Sequence, residues 1–316
     1  MSRFVLITIT LLSATTIFTS CEKFNSSLIK GLSLTNYPKV DGSTSTLPLN
    51  VVIACELLEI GYDKQVFNNG TWGIEPKLNK VNSKKFWEKI KSSQTHESFI
   101  NLINKETDLI LSARKMSQDE KTYADAAGVT LIETPIALDA FIFIVSSNNP
   151  ITSLTKEQIK DIYTGKITNW KEVGGRDAKI KPYVRNANSG SQELMESLVM
   201  KDWDIGDFPV APETVIWDMK GVFETISQDP DALCYTVYYY KEYIIYGLPA
   251  KSVAIEEIYP NKENINNKSY PYVAEVYAVI RSDLDKLSMA YKVYEFLQTN
   301  EGKQVISESG YLPYKY

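Results

Sequence analysis

The stretch KIKPYVRNANSGSQELMESLVM (residues 179–200) contains a complete strand–loop–helix unit. KIKPYV predicts a strand and QELMESLVM a helix, with RNANSGS (residues 185–191) between them. A helix begins with backbone N–H groups that have no partner inside the helix, and its dipole adds about half a positive charge there. Small residues let an anion approach these groups, and Arg185 supplies a permanent charge. The stretch therefore predicts an oxyanion-binding loop in which Ser189, Gly190 and Ser191 are donors.

Two further helix starts have similar sequences. DGSTSTLP (residues 41–48) lacks the Arg, but Ser45, Thr46 and the N–H of Leu47 are predicted to face an anion. SSQTHES (residues 92–98) is a third, with Thr95 as its N-cap. Each start alone could be an ordinary helix cap. Because open α/β sheets bind ligands beside helix starts at strand ends, their recurrence predicts three starts around one small anion.

The rest of the chain alternates between strand and helix patterns. Helices are predicted in residues 47–62, 98–106, 155–164 and 287–298, the third beginning with a Thr155–Gln158 capping box. Strands are predicted in residues 107–114, in 129–147 as one long strand or two, and in ALCYTVYYY (residues 232–240). This alternation predicts the α/β class with parallel sheets.

Composition excludes several classes of function. The 316 residues carry a net charge of −5 without a basic stripe, so we expect no nucleic-acid partner. The chain has one histidine, His96, and no CxxC pair, which supplies a zinc site or a histidine-based triad poorly. We therefore expect no metal and no cofactor. Cys55 and Cys234 are predicted to be buried free thiols, and a disulfide is the alternative in an exported protein.

The N-terminus predicts export. Arg3 precedes the apolar run FVLITITLLSATTIF (residues 4–18), which ends in small residues, as in a secretory signal. Cys21 follows directly and resembles the lipidated cysteine of bacterial lipoproteins, although Phe18 departs from the usual aliphatic residue. We expect a signal peptide (residues 1–20) and a lipidated stalk (residues 21–34) facing the periplasm or the cell exterior. The alternative is an unlipidated signal with an incidental cysteine.

A longer stretch carries a family resemblance. SLTKEQIKDIYTGKITNWKEVGG (residues 153–175) closely resembles a signature of the phosphate-binding proteins of bacterial phosphate ABC transporters. DGSTSTLPL, TDLILSARKMSQDE, RNANSGS, DALCYTVYYY and FLQTNEGKQVISESGYLPY resemble further segments of those proteins. The resemblance extends over nearly the whole mature chain.

The resemblance implies the type II periplasmic-binding-protein fold, in which two α/β lobes are joined by two crossover strands around a ligand cleft. Lobe 1 would comprise residues 35–139 and 270–316, and lobe 2 residues 140–269. The implied function is binding of phosphate, or a similar tetrahedral oxyanion, outside the cytoplasmic membrane and its delivery to an ABC transporter permease. The chain would act as a monomer, held at the membrane by its lipid anchor.

The resemblance also implies a set of site residues. They are Ser45, Thr46, Leu47, Thr95, Arg114, Arg185, Ser189, Gly190 and Ser191. Arg114 is the departure: many relatives have an aspartate near this position, which accepts the proton carried by phosphate and so rejects sulfate. An arginine is donor-only, so Arg114 would either add charge to the anion or form a salt bridge. Selection of phosphate over sulfate therefore stays open.

Two other functions fit parts of the sequence. A lipoprotein sensor or surface-binding protein would keep the fold without feeding a transporter. A hydrolase would use Ser189 or Ser191 with His96 as its base, but NSGS lacks the G-x-S-x-G pattern of a nucleophile elbow. We therefore expect a binding protein and not an enzyme.

Overall fold

The computed structural model describes residues 28–66, 72–201 and 214–315. The strands are β1 Val40–Gly42, β2 Tyr62–Val66, β3 Trp72–Pro76, β4 Leu109–Ser112, β5 Leu131–Ser146, β6 Ser153–Leu154, β7 Lys181–Pro182, β8 Val184–Arg185, β9 Val215–Ile216, β10 Ala232–Val237, β11 Ala250–Ser252, β12 Ala254–Ile255, β13 Val273–Arg281 and β14 Leu312–Pro313. The helices are α1 Leu47–Leu57, α2 Ser83–Lys89, α3 Thr95–Ile103, α4 Gln118–Ala126, α5 Lys156–Tyr163, α6 Gly190–Leu194, α7 Gly221–Gln228, α8 Tyr238–Tyr243, α9 Lys262–Asn266, α10 Met289–Phe296 and α11 Asn300–Glu308.

The central sheet is mixed. Its order is β1-β4-β13-β5-β10-β7, with β11 and β14 also pairing with β5. β1 and β4 are parallel, as are β10 and β7, whereas β13 and β10 are antiparallel to β5. The α/β class is confirmed, but the expectation of purely parallel sheets is wrong. Strands that return across a sheet without a crossover helix must run antiparallel to their neighbours.

The long strand β5 links the two halves of the sheet. Its residues 131–140 pair with β13, and from Phe141 onward it pairs with β10 and then β11. From Ile136 to Ser146 every residue of β5 is buried, so a single continuous strand forms where the sequence allowed one or two. The change of partner after Ala140 makes β5 a crossover between two α/β halves. The residue limits of the two lobes stay a prediction.

Local sequence signals mark several element ends. The predicted capping box is present: Thr155 Oγ1 accepts from the Gln158 N–H at 3.0 Å, and Gln158 Oε1 accepts from the Thr155 N–H at 2.9 Å. The run YYY after β10 was expected to continue the strand, but Tyr238–Tyr243 is α8. Tyr239 and Tyr240 are buried there, because one turn of helix places both rings against the core.

Both described cysteines are free and buried. Cys55 lies in α1 and Cys234 in β10, which agrees with the expectation of free thiols. Burial raises the pKa of the Cys55 thiol to about 12, so it is protonated and unreactive at neutral pH. The predicted signal peptide and Cys21 lie outside the described residues, as does the first half of the predicted stalk. In the second half, Ile29 is buried against the core.

Candidate functional site

Three loops meet at a small cavity of about 30 Å³ between the two halves of the sheet. They are residues 43–45 after β1, residues 94–95 at the start of α3, and residues 189–191 at the start of α6. Ser43 Oγ lies 2.9 Å from Thr95 Oγ1, which joins the first two loops. A Cβ atom on Gly190 would lie 2.5 Å from Thr95 Oγ1, so only glycine permits the approach of the third.

The loop after β1 is fixed by its own hydrogen bonds. Thr46 Oγ1 donates to the carbonyls of Ser43 and Leu111, at 2.9 and 2.7 Å, and its N–H also donates to the Ser43 carbonyl. These bonds leave the N–H groups of Thr44 and Ser45 without a partner among the described residues. The Ser45 hydroxyl has none there either, although the residue is buried. Thr44 and Ser45 therefore present donors to the cavity, and Thr46 does not.

The start of α6 presents a second group of donors. Ser189 Oγ accepts from the Gln192 N–H at 3.1 Å and so caps the helix, which leaves its own proton free to donate. The N–H groups of Gly190 and Ser191 have no partner in the described part of the chain, as expected of a first helical turn. A π-helical turn, Met195–Val199, continues this helix, so its start carries the dipole of a longer element.

Arg185 supplies positive charge at the end of β8 and is buried. Its Nε donates to the Ile216 carbonyl at 2.9 Å, and Nη2 lies 3.5 Å from the Trp217 carbonyl. It forms no ion pair with any residue that the structure describes. Burial lowers the pKa of the Arg185 guanidinium, which nearby Tyr235 and Asp218 partly oppose, but an arginine stays protonated. The cavity thus has an adjacent buried charge without a described carboxylate partner.

Arg114 lies in a different environment. Its Nη1 and Nη2 donate to Glu120 Oε2 and Oε1 at 2.7 and 2.8 Å, a bidentate pair buried on both sides. His96 Nδ1 also lies 3.0 Å from Glu120 Oε1. Arg114 lines a neighbouring cavity of about 430 Å³ instead of the small one. Of the two arrangements that the sequence left open, the structure has the salt bridge.

The structure brings six of the nine predicted site residues together. Ser45, Thr95, Arg185, Ser189, Gly190 and Ser191 line the small cavity. Thr46, Leu47 and Arg114 do not, because the first loop points earlier residues inward and Glu120 holds Arg114.

Sequence reasoning missed Ser43, Thr44 and Gln94, which also line the cavity. The small residues of GSTST were a signal for the first two, but the register was taken two residues too late. Gln94 had no signal. Its backbone has φ 70° and ψ 168°, a conformation that glycine normally occupies, so a glutamine there is unexpected.

Comparison with known proteins identifies the family. A model of the PBP superfamily domain matches residues 70–300. The phosphate-binding protein PstS of Borreliella burgdorferi is 30% identical over 220 residues, covering 68% of this chain and 75% of that protein. This chain belongs to the PBP superfamily, among the relatives of PstS. The PstS of Staphylococcus epidermidis is 29% identical over 261 residues and covers 77% of each chain.

Solved structures show the same fold for this PBP-superfamily chain. A protein from Clostridium perfringens, solved with bound phosphate and named for a phosphate ABC transporter, superposes with a TM-score of 0.65 at 23% identity. An ABC-type phosphate transport receptor from Vibrio cholerae gives 0.60 at 23%. Both comparisons cover 87% of this chain and 98% of the other. The fold is that of the type II periplasmic binding proteins, with two α/β lobes joined by crossover strands.

Two surveys of the described residues complete the site. No group of three or more His, Cys, Asp or Glu side chains there is arranged to hold a metal ion. Within the same residues, no helix combines the length and apolar character needed to cross a bilayer.

Proposed function

We propose that this protein binds inorganic phosphate, or a closely similar tetrahedral oxyanion, outside the cytoplasmic membrane and delivers it to an ABC transporter permease. The observation that carries the proposal is the small cavity, where donors from three loops meet a buried guanidinium. A tetrahedral anion needs donors from several directions, and helix starts from opposite halves supply them.

We assign the strongest interaction to Arg185, whose planar fork suits two oxygens of one anion. The N–H groups of Gly190 and Ser191 would bind from the second half of the sheet. Ser45 and Thr95 would bind from the first half, with the unpaired N–H of Thr44. Arg114 would have a structural role, because Glu120 already neutralises its charge.

The relatives support this assignment. The curated matches carry the name phosphate-binding protein, and one solved structure of the same fold holds phosphate. The two lobes, proposed as residues 35–139 with 270–316 and residues 140–269, would close on the anion. Closure excludes water and strengthens each charge-assisted hydrogen bond. Delivery to a permease is the function that the family implies for such a carrier.

The chemistry of the cavity leaves selectivity to experiment. Its described lining has hydroxyls, amides and one guanidinium, and it contains no carboxylate. A proton on phosphate would therefore have to be donated to a hydroxyl, an amide or a carbonyl oxygen. This arrangement favours oxyanions as a class and discriminates less sharply between phosphate and sulfate.

Parallel isothermal titrations with phosphate, arsenate, sulfate and molybdate test the proposal. We expect one phosphate per chain and similar binding of arsenate, which matches phosphate in shape and protonation. Tighter binding of sulfate than of phosphate would assign a different oxyanion. Absence of heat with all four anions would remove the oxyanion site.

Export and anchoring belong to the same proposal. Cleavage before Cys21 and lipidation of that residue would tether the protein, because acyl chains add membrane affinity. Cys21→Ala should move the protein from the membrane fraction to the soluble fraction after cell lysis. Retention in the membrane fraction would contradict the lipid anchor.

A further inference from the structure

A tyrosine from the end of the chain contacts the first loop of the cavity. The Tyr311 hydroxyl donates to the Ser45 carbonyl at 3.1 Å, although 266 positions separate them in sequence. Tyr311 is 2% exposed. Burial raises the pKa of Tyr311 well above its ordinary value, so the hydroxyl stays protonated and is the donor. This bond lies behind the surface of the loop that faces the cavity.

The Tyr311 ring is itself held in place. It stacks on Tyr239 with ring centroids 3.7 Å apart and planes 5° apart. The Tyr239 hydroxyl donates to the Ser309 carbonyl at 2.7 Å, and its N–H donates to Asp139 Oδ1 at 2.9 Å. Tyr239 is thus fixed at both ends, and Tyr311 has one orientation available between this ring and the loop.

The bond to Ser45 has a consequence for the charge of the cavity. The peptide between Ser45 and Thr46 is fixed at both polar ends, since the Thr46 N–H donates to the Ser43 carbonyl at 3.0 Å. A carbonyl oxygen turned toward the cavity would repel an anion there. With that carbonyl occupied by Tyr311, the loop keeps the Ser45 N–H and hydroxyl available for the anion.

We infer that Tyr311 is a positioning residue for the oxyanion site, which it serves by holding the Ser45 peptide in its binding orientation. The inference rests on the proposed function. It gives the C-terminal segment a role in ligand affinity, in addition to its packing. Preorganised donors bind more tightly because no free energy is spent on ordering them when the ligand arrives.

The chain offers a matched pair of variants. Tyr311→Phe keeps the stacked ring and removes the hydrogen bond to Ser45. Tyr239→Phe keeps the same stack and removes a hydrogen bond of similar length to Ser309, which does not line the cavity. Both variants lose one buried hydrogen bond, so both should lower the unfolding temperature slightly. Only the first removes the bond that reaches the loop.

Phosphate titration of the three proteins, with ¹⁵N spectra, tests the inference. Tyr311→Phe should bind phosphate about three- to tenfold more weakly, the equivalent of one neutral hydrogen bond, through faster dissociation. Tyr239→Phe should stay within about twofold of the parent protein. The shift of the Ser45 amide signal on phosphate binding should change in Tyr311→Phe and be preserved in Tyr239→Phe.

Three results would overturn the inference. Equal affinity in Tyr311→Phe and the parent would show that the bond is only structural. Equal weakening in both variants would assign the effect to general loss of stability. No phosphate binding by the parent would contradict the proposed function itself, and the inference would fall with it.

Discussion

Arg114 and Arg185 follow neighbouring strand ends in the two halves of the sheet, are equally buried, and have opposite surroundings. Arg114 is 5% exposed and paired in a bidentate way with Glu120. Arg185 is 6% exposed and, among the described residues, has only carbonyl oxygens as side-chain acceptors. One guanidinium is neutralised by the protein, and the other is left for a ligand.

The contrast shows which of two similar residues can bind an anion. A buried guanidinium that already holds a carboxylate has its charge and two of its donor directions occupied. A buried guanidinium without an opposing charge is costly, and an anionic ligand would offset that cost when it binds. Burial and residue type are the same in both places, so the presence of Glu120 makes the difference.

The largest effect is expected from removing the acid of the neutralised pair. Glu120→Gln should lower the free energy of unfolding by about 3–5 kcal/mol, because Arg114 would keep its buried charge without a counter-charge. Urea unfolding measures this. The exposed pair Lys220–Glu224 is the control, since Glu224→Gln should cost less than about 1 kcal/mol. Equal small losses in both variants would show that the buried pair is not a structural ion pair.

A buried acid without a cation extends the comparison to the opposite sign. Asp139 Oδ1 accepts the N–H groups of Ala140 and Tyr239, and Oδ2 has no partner among the described residues. Burial raises the pKa of Asp139 from 3.8 to about 7, although the two N–H bonds oppose this. The folded protein therefore holds this proton more tightly than the unfolded chain. The resulting stability is full below about pH 4 and is lost as the pH rises through about 7.

Asp139→Asn should remove that dependence. At pH 8 the variant should be more stable than the parent by about 2–3 kcal/mol, and the difference should shrink toward zero near pH 4. Thermal unfolding of both proteins across this range measures it. A difference that does not vary with pH would mean that Asp139 is ionised in the fold at both ends of the range.

The third effect concerns the ligand and separates the two arginines directly. Arg185→Met should weaken phosphate binding by about 1.5–3 kcal/mol, the contribution of a charge-assisted hydrogen bond. Arg114→Met should change phosphate affinity little while it destabilises the fold through Glu120. Calorimetric titration of both folded variants provides the comparison. Equal losses of affinity would mean that Arg114 also contacts the anion.

The smallest effect is expected at Gln94, where the loop is strained. Its φ of 70° and ψ of 168° suit glycine, so Gln94→Gly should raise the free energy of unfolding by about 1 kcal/mol. Gln94→Ala is the control, because alanine keeps the strain and removes the side chain. Stabilisation by both variants would point to the side chain of Gln94 instead of its backbone.

Much of this architecture was accessible from the sequence, because its signals are local. The capping box at Thr155, the strand–loop–helix stretch with Arg185 and Ser189, and the buried strand before Arg114 all depend on residues close together in the chain. The position of β5 as a continuous crossover was not decided by its pattern. A fully apolar run is equally compatible with one long strand or two, and only its pairing with β13 and β10 decides.

The errors at the site have a common cause. Thr46 was expected to face the anion, but its hydroxyl donates to the Leu111 carbonyl on another strand. Arg114 could not be assigned, because the carboxylate that neutralises it belongs to α4 and reaches back to the strand end. Tyr311 gave no indication of its contact with Ser45. Each depends on a tertiary contact, which the spacing of residue types does not encode.

A crystal structure of the mature protein grown with phosphate tests the central claim most directly. We predict a tetrahedral ion in the small cavity, within hydrogen-bond distance of the Arg185 guanidinium and the N–H groups of Gly190 and Ser191. Arg114 should remain on Glu120. An ion bound by Arg114, or a cavity without an ion at saturating phosphate, would contradict the account.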